Sequence, residues 1–209
     1  MRAAIEQRFA LRFPAFDVRA VHSIWMKWYL NAFIPPVLLA DVVLHQSVAV
    51  DLAGLRFIVA DDGRVTAVKI HGVRDSRGVK PFQRFRPLLL DHFEPLIATW
   101  CERTEVTARV FWSNVGNTFE AMLRRIESVS GPSDRLSEAQ RLLTETCEWQ
   151  GETNRLFDAV HYVQDGEQDG ETVRRRRRVC CLQYLLPDRR FCTACPIDEA
   201  RAARGGEGA

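Results

Sequence analysis

The segment RRRRRVCCLQYLLPDRRFCTACP, residues 174–196, holds four of the six cysteines of the chain behind five consecutive arginines. Cys180, Cys181, Cys192 and Cys195 give the spacing C-C-x10-C-x2-C. A CxxC pair is a common metal-chelating unit because the two intervening residues let a tight turn bring both sulfurs to one metal atom. Adjacent side chains diverge, so the CC pair suits a cluster of two iron atoms better than one tetrahedral zinc ion. The spacing alone leaves three states open: structural zinc, an iron-sulfur cluster, and unliganded or disulfide-forming thiols.

The composition of the whole chain is that of an ordinary globular protein. Its 209 residues are enough to bury roughly two-thirds of the surface that the unfolded chain exposes. The formal net charge is only +2, so the chain as a whole is not a polyanion binder and any electrostatic function must be local. No recognition helix or base-stacking platform accompanies the arginine run, and we expect no nucleic-acid partner.

The sequence gives no indication of export or membrane insertion. Charged residues interrupt positions 1–16, where a signal peptide needs an unbroken apolar run. The longest apolar segment, 32–44, is broken by Pro35, Pro36 and Asp41 and is shorter than the ~20 residues of a transmembrane helix. We therefore expect a cytoplasmic protein with no transmembrane segment, and the sequence leaves peripheral membrane association open. In a reducing compartment, clustered cysteines more often bind metal or carry out redox chemistry than form disulfides.

Helical patterns dominate the body of the chain. Residues 21–30, VHSIWMKWYL, predict a mostly buried helix, and Pro35 and Pro36 are expected to break it. A second helical pattern contains Pro95, which should start a new helix or kink the existing one. The segment 104–112, TEVTARVFW, is predicted to be a short strand.

A hairpin and a basic loop are predicted between these helical segments. Asp62-Gly63 lies between β-branched residues and predicts a turn that joins two antiparallel strands, at about 55–60 and 64–70. The basic, aperiodic segment 71–85 is predicted to be a loop.

Two further helices are predicted from capping patterns. Asn117 and Ser137 are each followed three residues later by Glu or Gln, the spacing of a capping box. Gly131-Pro132 is expected to separate these two helices.

These patterns predict an α+β fold: a mainly helical body with a small antiparallel strand element, followed by a short cysteine module. The body covers residues 1–165, and the module, which begins with the acidic linker DGEQDGE, covers residues 166–200. Residues 201–209 are expected to be a disordered tail. Because the module is too short to have a core of its own, something other than apolar packing must hold it together.

The final segment, RRVCCLQYLLPDRRFCTACP (177–196), resembles the C-terminal signature of the FhuF-type ferric-siderophore reductases, in which C-C-x10-C-x2-C binds a 2Fe-2S cluster through all four cysteines. HSIWMKWYLNAFIPPVLLA (22–40), the segment 88–123 and ETNRLFDA (152–159) are similar in order and character to the N-terminal domain of that family. The resemblance spans most of the chain. This chain departs from the family in being short, and in having five arginines where one or two basic residues are expected before the CC pair.

The resemblance implies that Cys180, Cys181, Cys192 and Cys195 ligate one 2Fe-2S cluster in the C-terminal module. It also implies a ferric-siderophore reductase, which reduces Fe(III) by one electron and releases Fe(II) in the cytoplasm, because hard oxygen donors hold the larger, less charged ion poorly. No GxGxxG or P-loop occurs in the sequence. The electron is therefore expected from an external donor, of ferredoxin-like, flavodoxin-like or flavin-reductase type.

Further residues are predicted to act around the cluster and the substrate. Positive charge favours the reduced cluster, which carries one more negative charge than the oxidised one, and it also attracts an anionic ferric chelate or an acidic donor. The residues predicted for this role are two arginine pairs: Arg177 and Arg178, and Arg189 and Arg190. The first pair ends the five-arginine run, 174–178, which is alternatively a solvated linker. The residues predicted for the substrate pocket are aromatic or basic: Trp25, Trp28, Tyr29, Trp112, Arg74 and Arg77.

Two other functions are left open. The first is a zinc-stabilised binding or adaptor module without redox activity. The second is an iron-sulfur electron carrier or sensor, which contains the cluster but does not reduce ferric chelates at a useful rate.

Overall fold

The computed structural model describes residues 2–12, 16–70, 72–146, 148–149, 152–165, 172–187 and 189–197. Its α-helices are α1 (Arg2–Arg12), α2 (Val18–Val42), α3 (Pro81–Arg86), α4 (Glu94–Arg103), α5 (Ala108–Ser130) and α6 (Asp134–Thr144). Its strands are β1 (Gln46–Val48), β2 (Arg56–Val59), β3 (Val65–Lys69), β4 (Val73–Asp75), β5 (Glu148–Trp149), β6 (Glu152–Thr153), β7 (Val160–Asp165) and β8 (Thr172–Arg177). The predicted α+β class, mainly helical with small antiparallel strand pairs, is confirmed.

Helix α2 lies at the centre of the core and continues through both of its prolines. The predicted break at Pro35 and Pro36 is therefore wrong. The side chains around the two prolines are completely buried: Phe33, Ile34 and Leu38. Their packing outweighs the backbone hydrogen bonds that the prolines cannot donate. Neither α2 nor any other helix in the described part of the chain is long and apolar enough to cross a membrane.

Helix α5 packs along α2 and begins earlier than the sequence predicts. The segment 104–112 is not a strand and Asn117 does not start a helix, because α5 begins at Ala108 after an extended Thr107. The buried side chains of α5 recur at three or four positions: Phe111, Val115, Phe119, Leu123 and Ile126. This helical period, which buries one face of α5 in the core, outweighs the strand preference of the β-branched residues that precede it.

Gly131 ends α5 and separates it from α6, as predicted. Its φ of 75° lies in the left-handed region that favours glycine. Helix α6 begins at Asp134, where the Ser133 hydroxyl accepts a hydrogen bond from the Leu136 N–H at 3.2 Å. The predicted start at Ser137 is therefore wrong by about one turn.

The segment between β4 and α5 is nearly continuous helix. A π-helical segment, Pro87–Phe93, joins α3 to α4. Pro95 lies in the first turn of α4 and follows Glu94, whose N–H still donates to the Leu89 carbonyl of the π-helical segment. Of the two outcomes predicted at Pro95, a new helix or a kink, the structure shows the first only as a change from π-helix to α-helix at Glu94, without a gap between the two.

The described strands form antiparallel pairs of two strands each. Strands β2 and β3 are joined through the Asp62-Gly63 turn, in which Gly63 has a φ of 84°, so the predicted hairpin is confirmed. Strand β1 pairs with β4, with Gln46 opposite Asp75. The prediction of a loop at 71–85 is wrong, because β4 and α3 lie within this segment, and its first residue lies outside the described residues.

The pair β7–β8 connects the helical body to the cysteine segment. The two strands pair along their whole length, so most of the arginine run lies in a β-ladder. Residues 166–171, between the two strands, lie outside the described residues. The division into a body of residues 1–165 and a module of residues 166–200 stays a prediction, and the predicted tail 201–209 also lies outside the described residues.

Candidate metal centre

The four cysteines of the C-terminal segment come together as two pairs. The Sγ atoms of Cys181 and Cys192 are 3.8 Å apart, and the Cys180 thiol interacts with the Cys195 thiol. The two adjacent cysteines therefore face different members of the CxxC pair, as expected for diverging neighbours. The Cys195 N–H donates to the Cys192 carbonyl at 2.9 Å and closes the CxxC turn.

The two pairs share the same pattern of exposure. Cys181 and Cys195 are each only 1% exposed, whereas Cys180 and Cys192 are half-buried. Burial raises the pKa of Cys180 to about 11, although the Leu182 N–H donates to its sulfur at 3.3 Å. Each pair therefore has one buried sulfur and one sulfur near the surface.

Lys27 on α2 brings a positive charge to the thiols. Its Nζ lies 3.7 Å from the Cys181 Sγ and 3.2 Å from the Gln183 Oε1. The pKa of Cys181 is lowered to about 5, first by its hydrogen bond with Cys192 and then by the charges of Lys27 and Arg177. The Cys181 thiol is thus favoured in the thiolate form that binds metal.

Arg177 brings a second positive charge, from inside the protein. Its side chain is 1% exposed, and its Nη2 donates to the Asn114 Oδ1 and, at 3.3 Å, to the Ser113 Oγ on α5. Burial lowers the pKa of Arg177, and the nearby thiols act in the opposite direction: Cys181, Cys192 and Cys180. The sequence predicted that Arg177 acts on the cluster, and its position near the thiols is consistent with that role.

Arg175 fixes β8 against α5. Its Nε donates to the Glu120 Oε2 at 2.6 Å, and its Nη1 donates to the Asn117 Oδ1 at 3.0 Å. Arg175 and Arg177 are two positions apart on β8, so they point to the same side of the strand. That side faces α5, where both arginines find their partners.

The other arginines of this region differ in exposure. Arg176 is buried and donates to the Cys195 carbonyl, and the exposed Arg178 pairs with Asp158. The interpretation of the run as a solvated linker is therefore wrong, because its central residues hold β8 to the body and to the CxxC turn. The remaining residues predicted to tune the cluster are exposed: Arg189 and Arg190.

Polar side chains of α2 and α5 hold the backbone on both sides of the CC pair. The Ser23 Oγ donates to the Cys181 carbonyl at 2.9 Å, and the Ser113 Oγ donates to the Val179 carbonyl at 3.0 Å. The Asn114 Nδ2 donates to the Ser23 Oγ at 3.0 Å and links the two helices. The body of the protein thus positions the CC pair directly.

The sequence analysis missed the residues that α2 and α5 contribute to this site: Ser23, Lys27, Ser113 and Asn114. One of them had a signal in the sequence. Lys27 is the only Asp, Glu, Lys or Arg in the segment 20–40. An isolated charge in a segment that must be buried needs a partner, so it could have been identified as a site residue.

The aromatic residues predicted for a substrate pocket on α2 belong largely to the core. Trp25 and Tyr29 are buried and stack with ring centroids 5.9 Å apart, and the half-buried Trp28 packs at the edge of the core. Trp25 also lines a mostly apolar cavity of about 210 Å³, together with Ile5 and Phe57.

The other predicted substrate residues lie elsewhere. Trp112 lines a cavity of about 320 Å³ beside the CC pair. Arg77 lines a cavity of about 630 Å³ at the C-terminal end of α2, next to Val42, roughly 20 Å along the helix from Lys27. Arg74 is exposed on β4. The structure therefore does not bring the six predicted substrate residues into one pocket.

The donor set fits a 2Fe-2S cluster. Such a cluster takes four cysteine thiolates, two on each iron, and the structure provides thiols in two pairs with Lys27 and Arg177 beside them. Among the described residues, no three His, Cys, Asp or Glu side chains are arranged so that they could bind a single metal ion.

A fold of this class with a four-thiol site defines a small α+β iron-sulfur protein. The family described as "Ferric iron reductase FhuF-like transporter" matches residues 23–170, and the "FhuF 2Fe-2S C-terminal domain" matches residues 177–196. The chain belongs to the FhuF-like ferric iron reductase family, and its cofactor is a 2Fe-2S cluster. The resemblance found in the sequence is confirmed.

A curated relative agrees with this assignment. The protein named "Ferric siderophore reductase" from Escherichia coli (strain K12) is 27% identical to this chain over 179 residues. The match covers 84% of this chain and 64% of the relative. The chain thus spans less than two-thirds of the length of the curated relative that it matches.

Proposed function

We propose that this protein is a ferric-siderophore reductase, which transfers one electron to Fe(III) held by a siderophore. The observation that carries the proposal is the pairing of four thiols next to two cationic side chains, Lys27 and Arg177, in a chain of the FhuF-like family. The name of the Escherichia coli relative supports the same reaction.

In this proposal Cys180, Cys181, Cys192 and Cys195 are the ligands. When bound, the 2Fe-2S cluster accepts and delivers one electron at a time. The electron comes from an external donor of ferredoxin-like, flavodoxin-like or flavin-reductase type, which is oxidised by one electron while Fe(III) is reduced to Fe(II). The siderophore then releases the iron, because hard oxygen donors hold Fe(II) poorly.

The charged residues divide into an inner and an outer group. Lys27 and Arg177 are the inner group, and their charges favour the reduced state with its additional negative charge. The outer group is exposed and attracts an anionic chelate or an acidic donor: Arg178, Arg189 and Arg190. The half-buried Cys180 and Cys192 give the electron its shortest route to the surface.

The division of labour follows the predicted domains. The body, residues 1–165, positions the module, residues 166–200, through hydrogen bonds from Ser23 and Ser113 to the backbone beside the CC pair. The reaction takes place in the cytoplasm, where reduced donors of the proposed kinds are found.

Anaerobic purification followed by metal, sulfide and EPR analysis tests the cofactor. We expect a red-brown protein with equal amounts of iron and acid-labile sulfide, and an EPR signal that appears on one-electron reduction. Colourless protein with stoichiometric zinc, even after anaerobic reconstitution, would mean a zinc-stabilised module instead.

A single-turnover assay tests the reaction. The reduced protein is mixed anaerobically with a ferric siderophore and a chromogenic Fe(II) chelator, and we expect one Fe(II) per reduced cluster. A stable cluster without electron transfer to the chelate would identify a carrier or sensor. Cys192→Ser should lose both the cluster and the activity, whereas Cys101→Ser, in α4 and outside the four-thiol site, should keep both.

A further inference from the structure

The two thiols nearest the surface have the same neighbour in the sequence. Cys180 and Cys192 are half-buried, and each follows an exposed arginine by two positions, Arg178 in one case and Arg190 in the other. The remaining two thiols of the site are buried. An electron that reaches the cluster site from outside therefore has two short routes, one past each half-buried thiol, and a positive charge lies beside each route.

A cavity of about 320 Å³ lies on the Cys180 side of the site. Arg178 and Val179, the two residues before Cys180, line this cavity. Consecutive Cα atoms are about 3.8 Å apart, so a group that contacts Val179 lies one residue away from Cys180. The volume is near the lower limit of the pockets that enclose a small molecule, about 300–1,000 Å³. A cavity of this size accommodates a few side chains of a protein partner.

The cations that line this cavity come from three segments of the chain. They are Arg109 at the start of α5, Arg155 before β7, and Arg178 after β8; among the described residues no carboxylate lines the cavity with them. Arg155 and Arg178 pair with Glu94 and Asp158 near the surface, and such pairs are weak, so a partner's carboxylates can compete for the two arginines. Within the described residues the exposed Arg109 has no ion pair.

The positive charges that act most strongly on the thiols come from other residues. Lys27 and Arg177 are the cations that act on Cys181 and Cys192, and both approach the site from the body of the protein. The Arg178 guanidinium instead donates to Asp158. The exposed positive charge around the cavity is therefore available to a molecule that approaches from outside.

The types of side chain around the cavity are those of a protein interface. Phe157 lines the cavity and is 37% exposed, whereas Trp112 is almost fully buried and presents little surface. Every cation that lines the cavity is an arginine. Arginine and aromatic side chains are enriched in protein–protein interfaces and lysine is depleted. The combination favours contact with another protein.

We propose that the surface formed by Arg109, Arg155, Phe157 and Arg178 docks the electron donor, and that this donor is a carrier protein with a carboxylate-rich surface around its own redox centre. The carboxylates of the donor pair with the guanidinium groups and orient it. One electron then passes from the reduced donor past Cys180 to the cluster; the donor is oxidised by one electron, and no bond forms or breaks. This assignment rests on the proposed function and names the partner of that site.

Binding of oxidised carriers tests the docking without any electron transfer. The cluster-loaded protein is titrated by calorimetry with two acidic carriers, a flavodoxin and a plant-type 2Fe-2S ferredoxin. We expect at least one of them to bind, and its dissociation constant to rise at least about tenfold between about 20 and about 200 mM salt. Arg109→Glu and Arg155→Glu should each weaken this binding about fivefold to tenfold.

Arg125→Glu is the matched control, because Arg125 is exposed near the other end of α5, roughly 24 Å from Arg109 along the helix. It should change the dissociation constant less than twofold. Circular dichroism and the absorbance of the cluster should show that all three variants keep the wild-type fold and the cluster. Failure of both carriers to bind would overturn the assignment, and so would equal binding of wild type, Arg109→Glu and Arg155→Glu.

Arg190→Glu distinguishes the two routes to the thiols. Because Arg190 lies beside Cys192 rather than Cys180, this variant should weaken binding of the carrier less than Arg109→Glu does. A larger effect of Arg190→Glu would place the donor on the Cys192 side and would overturn the assignment.

A different occupant of the same surface would give a different result. Protein that has been reduced chemically needs no donor, so its release of Fe(II) from a ferric chelate depends only on the chelate. Slower release from chemically reduced Arg109→Glu and Arg155→Glu, together with unchanged binding of the carriers, would assign this surface to the chelate and overturn its assignment to the donor.

The failure of this assignment and the failure of the proposed function are distinguishable. If the chemically reduced wild type releases Fe(II) from ferric chelates but Arg109→Glu and Arg155→Glu bind the carriers normally, the docking surface is wrong and the reductase function stands. If binding of a carrier depends on the two arginines but the reduced protein releases no Fe(II) from any ferric chelate, the docking surface holds and the reductase function is wrong.

Discussion

The Arg177 guanidinium donates a hydrogen bond to the side-chain oxygen of Asn114, and in the described part of the chain no carboxylate pairs with it. A buried cation needs a counter-charge, because its desolvation is costly. The groups that act on Arg177 with favourable charge are Cys180, Cys181 and Cys192 in the thiolate form that binds the cluster. The cluster site is therefore the electrostatic partner of this arginine.

Replacing Arg177 by Met should make the cluster harder to reduce. The variant loses a positive charge that favours the reduced state, and we expect the reduction potential to fall by about 50 mV, or roughly 1 kcal/mol for one electron. A redox titration followed by absorbance or EPR measures the change. Arg178→Met is the matched control, because Arg178 is exposed and paired with Asp158. A shift in Arg178→Met as large as that in Arg177→Met would contradict this account.

Lys27→Met should lower the potential in the same direction, by a smaller amount. Lys27 lies 3.7 Å from the Cys181 sulfur but is only partly buried, so water screens its charge more than that of Arg177. The same titration on Lys69→Met, which removes an exposed lysine on β3, provides the comparison. The reduction potential of Lys27→Met should be clearly lower than that of Lys69→Met. Equal potentials would show that Lys27 does not act on the cluster.

Gly116→Ala should destabilise the protein and loosen the approach of β7 to α5. A Cβ at Gly116 would lie 2.2 Å from the Cβ of Ala159, and we expect the free energy of unfolding to fall by about 2 kcal/mol. Urea unfolding followed by circular dichroism measures it. The double variant Gly116→Ala/Ala159→Gly removes the clash and should recover most of the stability. A single variant as stable as the wild type would show that the two backbones are not this close.

Stability should fall in acid partly because of His92. This residue is completely buried; its Nδ1–H donates to the Val50 carbonyl at 2.7 Å, and its Nε2 accepts from the Tyr29 hydroxyl at 2.6 Å. Burial lowers the pKa of His92 to about 4. The unfolded chain binds a proton at this histidine near pH 6.5, and the folded chain does not. The stability that the neutral His92 contributes is therefore present above pH 6.5 and is lost as the pH falls toward 4. The total loss is about 3 kcal/mol.

The variant His92→Gln separates the effect of His92 on acid stability from the effects of all other titratable groups. Urea unfolding at several pH values between 7 and 4 should give a smaller loss of stability for the variant than for the wild type, even if the variant is less stable at pH 7. Parallel pH profiles for the two proteins would show that His92 does not titrate as described.

The features predicted correctly from the sequence depend on a few neighbouring residues. The hairpin at Asp62-Gly63 and the break at Gly131 both use the left-handed conformation that glycine tolerates. The cysteine spacing is also local, and it was enough to locate the candidate metal centre. In each case the signal and the structure lie in the same short segment.

The errors come from contacts between distant segments. Pro35 and Pro36 stay inside α2, and the residues after Thr107 form a helix rather than a strand, because both helices bury one face in a common core. Lys27 and Cys181 are 154 positions apart in the sequence. No pattern within a single segment predicts which distant side chain will lie beside a thiol.

The hydrogen bonds that join β8 to the CxxC turn have a consequence for the rate of the proposed electron transfer. The Arg177 N–H donates to the Ala194 carbonyl at 2.9 Å, and the Arg176 side chain donates to the carbonyl of Cys195. These bonds reach backbone carbonyls of the turn and leave its sulfurs to bind the cluster. A ligand frame that stays fixed when the charge of the centre changes has a small reorganisation energy, so distance and driving force set the speed of each electron.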